Sequence, residues 1–275
     1  MIDRLFVISR LELVSVARLR WIRLFAVAFA LLTVAAAWSA GSARELAGAD
    51  SFARTTVALM PLVLLLVPLV AILLGVSGQT TEAGSDAFLY SQPVTRFEVT
   101  LGRWCGQSAA LGCALAAGLG AGGAIVALGA GAADVARFFV FAAATFVLAL
   151  VFLAIAALLA ALLERRTAAL AAGAFAWFFF VLLFDGIALA AAVWLTGRAG
   201  SRLLMLSVFA NPADLVRVLT LSFAGTPHLL GAAGESWQRL LGGPGWAALV
   251  ACVALGCWIA GPLSAARLAI SSRDL

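Results

Sequence analysis

A chain of 275 residues that is 64% hydrophobic and 11% charged, with a mean hydropathy of +1.11, carries more apolar surface than a soluble domain of this length can cover. Its 18 basic residues are all arginine and its net charge is +5; the lack of any lysine excludes an ATP-binding P-loop and a Schiff-base mechanism. The apolar runs are long and do not alternate, which points to helical membrane spans rather than a barrel.

Residues 1–23 contain Asp3, Arg4, Arg10, Glu12, Arg18, Arg20 and Arg23, so no uninterrupted apolar segment precedes the first run and a cleaved signal peptide is not expected. Ile2, Phe6, Leu13 and Ala17 fall roughly along one helical face, although Leu5, Ile8 and Leu11 blur the stripe. This segment reads as a cytoplasmic interfacial helix anchored by Arg18, Arg20, Trp21 and Arg23. Residues 24–275 then hold six apolar runs, near Leu24–Ala40, Thr56–Val76, Trp104–Gly131, Ala136–Leu163, Ala168–Thr196 and Trp246–Ala266. The expected fold is all-α and polytopic, with both termini on one side. Arg4, Arg10, Arg18, Arg20 and Arg23 before the first run outweigh Arg44 and Arg54 after it, which places both termini in the cytoplasm.

Between the second and third runs, residues 78–103 read GQTTEAGSDAFLYSQPVTRFEVTLGR, a polar stretch that this topology puts in the cytoplasm. Pro93 marks a point where a helix stops or restarts. The stretch is either a solvated linker or a protruding elbow that engages a partner.

In the third run Gly118, Gly120 and Gly123 satisfy GxGxxG, but no strand precedes them and no acid follows at the distance a ribose requires, so nucleotide binding is rejected. Gly102-x-x-x-Gly106 and Gly118-x-x-x-Gly122 instead let this helix approach a neighbour closely, in the same chain or in a second copy. Cys105, Cys113, Cys252 and Cys257 lack metal-site or disulfide spacing and read as small packing residues, and His228 is a lone loop histidine. No metal site is expected.

Asp185 sits near the middle of the fifth run, where an unpaired carboxylate costs at least about 2.5–3.5 kcal/mol, so it must face protein or water or be neutral. It is either a hydrogen-bonded packing group or part of a transport path. That run is long enough to need a tilt or a break at Asp185-Gly186. Residues 197–245 are expected as an outer, periplasmic segment of short helices, with Asn211 capping a helix that begins at Pro212. With Asp214, these residues would shape a docking or exit surface.

The sequence from Glu82 to Arg96, EAGSDAFLYSQPVTR, together with an interfacial helix, six runs and a long second polar segment, resembles the ABC permeases of the second exporter type. Their pattern here is an acid, a Gly-Thr pair, a hydrophobic run, then Ser-Gln-Pro-Val-Ser-Arg and an acid before Leu-Gly-Lys. Glu82, Gly84, Ser91, Gln92, Pro93, Val94, Arg96, Glu98, Leu101 and Gly102 match it; Ser85, Asp86 and Arg103 depart from it. Two further stretches, WFFFVLLFDG (Trp177 to Gly186) and NPADLVRVLTL (Asn211 to Leu221), resemble the branch that assists maturation of nitrous oxide reductase, a periplasmic copper enzyme. The resemblance implies a noncatalytic inner-membrane subunit that works as a homodimer surrounded by lipid. A separate cytoplasmic ATPase would bind the ATP and magnesium, and a periplasmic accessory protein would join the complex. It assigns ATPase coupling to Glu82, Gly84, Gln92, Pro93, Arg96 and Glu98, and no cofactor or nucleic acid to this chain. The runner-up it implies is an exporter permease for a lipid or other hydrophobic substrate.

Overall fold

The computed structural model describes residues 2–42, 51–80, 95–129, 132–163, 165–195, 197–223 and 244–272, and all regular structure among them is helical. Helix α1 (Ile2–Arg18) is followed after Leu19 by α2 (Arg20–Ser42), then α3 (Ser51–Gln79), α4 (Arg96–Gly129) and α5 (Ala132–Leu162). The fifth run forms α6 (Arg166–Phe178), a π-helical turn (Phe179–Leu183) and α7 (Phe184–Leu195). Helices α8 (Gly197–Ala210) and α9 (Pro212–Phe223) follow, then α10 (Pro244–Ser271). Six stretches are long and apolar enough to cross a bilayer: Arg20–Ser39, Thr55–Gln79, Arg96–Ala127, Val135–Leu162, Arg166–Leu195 and Gly245–Ser271.

Helix α5 is the axis of the bundle. It packs against α3, α4, α6, α9 and α10, and the consecutive residues Val151, Phe152, Leu153 and Ala154 are all fully buried. Burial on every side matches its near-continuous apolar sequence. The fifth span is the opposite case, with only 6% of its apolar window buried, so most of its surface is left for lipid or another chain.

Two departures from the sequence expectation have physical causes. First, α4 begins at Arg96 rather than near Trp104 and runs for 34 residues, about 50 Å, well beyond a hydrocarbon core of roughly 30 Å. Its polar first turns are helical because they extend past the membrane, so the last part of the 78–103 stretch is the start of the third helix. Second, α1 buries Ile8 and Val16 with Leu13 partly buried beside them and leaves Phe6 68% exposed, so the buried face is rotated from the expected stripe, which only Leu13 keeps. Its buried face is chosen by α4, on which it lies.

The glycines of α4 set that contact. A Cβ at Gly106 would lie 2.5 Å from the Ser9 carbonyl oxygen of α1, and one at Gly118 would lie 2.5 Å from a ring carbon of Phe29 in α2. Thr33 uses the second approach to donate a 2.7 Å hydrogen bond to the Gly118 carbonyl. Both neighbours of the small-residue motifs therefore belong to the same chain. Cys113, Cys252 and Cys257 lie exposed on helix flanks rather than in the core.

Candidate functional site

The polar groups of the fifth span and of the segment after it converge. Helices α8 and α9 meet at a bend of 107°, the geometry of a broken span or of a re-entrant pair, with Asn211 at the corner. Asn211 caps α9 as expected: its Oδ1 accepts from Ala213 N at 3.0 Å, and Pro212 takes the first helical position, where its missing N–H costs nothing. The amide of the same side chain donates at 2.9 Å to the Phe180 carbonyl and at 3.1 Å to Asp214 Oδ2. Phe180 lies in the π-turn, where the wider hydrogen-bond ladder frees backbone acceptors for such contacts. Its ring sits edge-on to Trp258 and Phe152, tying the turn to α10 and α5.

The irregularity in the fifth span is therefore at Phe179–Leu183, and the helix continues through Asp185 and Gly186 without the break expected there. Asp185 is not alone. Arg217 of α9 donates from Nη1 to Asp185 Oδ2 at 2.8 Å, and the same nitrogen lies 3.2 Å from Asp214 Oδ1. The second contact is Coulombic rather than a directed hydrogen bond, since Asp214 Oδ1 is buried with no hydrogen-bond partner. One guanidinium thus bridges two carboxylates on different elements. Arg217 was the residue that sequence reasoning missed; its only signal was the Asp214-x-x-Arg217 spacing, which puts both on one face of a helix.

Asn211 and Asp214 are 1% and 9% exposed and Pro212 is buried, so in the single chain these residues shape the corner between α8 and α9 from within. Trp177 adds a second tie, donating to the Leu65 carbonyl of α3 at 2.9 Å, and Trp258 a third, to the Phe209 carbonyl of α8 at 3.0 Å.

At the other end of the bundle, Glu82, Gly84, Gln92 and Pro93 lie outside the described residues. Arg96 and Glu98 open α4. Glu98 Oε2 accepts from Thr95 N at 2.9 Å while Glu98 N donates to Thr95 Oγ1 at 3.2 Å, a reciprocal capping box. Arg267 of α10 stacks over the Phe97 ring at 5.6 Å, and Gln79 of α3 donates to the Thr100 carbonyl at 3.0 Å. Gln107 donates to Glu12 of α1 at 3.0 Å. Three helices, α1, α3 and α10, are thereby pinned to the first part of α4.

Six helices long and apolar enough to span, an N-terminal helix laid on the third of them and a sharply bent pair before the last describe a polytopic membrane protein. The family described as ABC-2 family transporter protein matches residues 6–275, and the chain belongs to it. It is 35% identical over 224 residues to the "Probable ABC transporter permease protein NosY" of Pseudomonas aeruginosa, covering 78% of this chain and 80% of that protein. It is 31% identical over 232 residues to the protein of the same name from Stutzerimonas stutzeri, covering 82% and 84%.

Proposed function

We propose that this chain is the NosY-like permease of an ABC transporter that serves maturation of a periplasmic copper enzyme of the nitrous oxide reductase type. The observation that carries the reading is its similarity to two NosY permeases over most of their length. Two copies sit in the bacterial inner membrane with both termini cytoplasmic and bind a NosF-like ATPase, which holds the ATP and magnesium. The helix-pinned start of α4, with the residues before it, receives the ATPase stroke: Glu82, Gly84, Gln92, Pro93 and Arg96 make the contact, and Glu98 fixes its geometry. The stroke is passed across the bundle to the bent pair, where it drives transport or is handed as force to a NosD-like accessory protein.

Purification from native membranes, with identification of the accompanying proteins, tests the reading. An ABC ATPase in stoichiometric amount and a periplasmic accessory protein are expected. Arg96→Glu should insert normally and lose the ATPase; full retention of a nucleotide-responsive complex by that variant would refute the coupling assignment.

A further inference from the structure

Helix α9 packs chiefly against α5 and α10, with further contacts to α8, α3 and the π-turn. Among the described side chains, the cations those elements carry are Arg137, Arg202 and Arg267, and none of them pairs with Asp185 or Asp214. Arg217 does, and it meets both carboxyl groups through the single atom Nη1, at 2.8 and 3.2 Å. Two acids therefore share one positive charge, and with both ionised the cluster holds an excess negative charge that nothing in its surroundings balances.

The two acids are not equivalent. Asp185 takes the shorter, directed contact with the guanidinium, and its side chain is 43% exposed, whereas Asp214 is 9% exposed. The Asn211 amide donates to Asp214 Oδ2, but Oδ1 is buried and accepts no hydrogen bond from any described residue. An ionised carboxylate is an acceptor on both oxygens, and burying one of them bare is costly. The carboxyl groups of Asp185 and Asp214 lie within hydrogen-bonding reach of each other. Two acceptors placed so close are joined by a proton.

We propose that Asp185 and Asp214 bind one exchangeable proton between them, donated from the buried Asp214 toward the Asp185 carboxylate, with Arg217 balancing the one charge that remains. The proton makes the join between the fifth span and α9 neutral. Its loss sets two like charges facing each other across that join, so proton occupancy governs how firmly the fifth span is held to the bent pair. The site is built from residues of this chain alone and is independent of the proposed ATPase partnership, so either reading can fail without the other.

Infrared spectra of the full-length permease in membranes, with whatever ATPase accompanies it, read the proton directly, because a protonated carboxyl absorbs apart from a carboxylate and its band shifts in deuterium oxide. The parent at neutral pH should show an acid band that Asp214→Asn removes. Asp185→Asn should remove it as well, since Asp214 then has the guanidinium to itself and ionises, and Arg217→Lys, which keeps the positive charge, should retain it. Asparagine keeps the shape of the acid and one acceptor oxygen, and two independent asparagine variants guard against a folding defect in either. Raising the pH should bleach the band and lower the thermal stability of the parent, while Asp214→Asn should change clearly less over the same range. An acid band that survives Asp185→Asn would mean that Asp214 is protonated through burial alone and would overturn the shared proton. So would its absence from the parent at neutral pH, the result expected where water or a second copy supplies the balancing charge. Loss of the band on adding sodium at constant pH would overturn it too, with a metal cation as the occupant.

Discussion

At the residue scale, Arg217 carries more than its two partners do. Removing Asp185 leaves the guanidinium paired with Asp214, whereas removing Arg217 leaves two carboxylates together in an apolar environment. Arg217→Leu should lower stability by about 1–3 kcal/mol and sharply reduce the yield of monodisperse protein after extraction, while Asp185→Asn should be tolerated. Adding Asp185→Asn and Asp214→Asn to Arg217→Leu should restore much of the yield. Thermal unfolding in detergent, followed by tryptophan fluorescence, ranks the three; Asp185→Asn falling as far as Arg217→Leu would contradict the bridging role. Glu98 allows a similar separation of effects. Glutamine at that position still caps α4 but carries no charge. Glu98→Gln should therefore keep ATPase binding, and Glu98→Ala should lose about 1 kcal/mol of helix stability and weaken assembly, as measured by co-purification.

At the element scale, the join between α1 and α4 depends on absent side chains. Gly106→Val would press a branched side chain against the backbone of Ser9, which no rotamer change relieves; about 1–3 kcal/mol of overpacking should free α1. Trypsin would then cut at Arg10 and Arg18 in that variant and spare the parent, a difference that mass spectrometry of the fragments reads directly. Gly120→Ala, with nothing within 4 Å of its added methyl, is the matched control and should leave the digestion pattern unchanged. The same elements show what a sequence can and cannot disclose. The six spans were legible because about 20 apolar residues have few other uses, and the Asn211-Pro212 helix start because capping is local. The π-turn was not legible: nothing in Phe179–Leu183 distinguishes it from α-helix, and it is held by contacts from α5, α9 and α10. The Asp185–Arg217 pair joins residues on separate elements, so only the fold could reveal it. The Thr95-x-x-Glu98 box was readable, but a helix that continues into water looks like a loop when apolar content is the guide.

At the scale of the whole molecule, the fifth span is nearly uncovered and holds a half-exposed Asp185 deep in the membrane. An ionised group at that depth does not face hydrocarbon, so this side of the chain belongs against protein or a water-filled space, as a two-fold dimer supplies. With the four native cysteines replaced, Leu189→Cys, at an exposed position one turn from Asp185 on the same face, should crosslink protomers with a short bismaleimide in membranes, and Val253→Cys on α10 should not. The reverse pattern would place the partner on the sixth span.

The manner in which the fifth span is attached also governs how it moves. Helix α5 is held by interdigitated apolar side chains, whose attraction fades gradually as surfaces slide. The fifth span shares some of that apolar packing, with Gly173 close on Ile72 and Phe180 edge-on to Phe152, but adds Trp177 on the Leu65 carbonyl, Asn211 on the Phe180 carbonyl and Arg217 on Asp185, contacts that weaken steeply with small changes of distance and angle. The directed contacts act like a catch on a bearing: packing alone would let the span slide, and these three bonds hold it at one setting until all of them are broken.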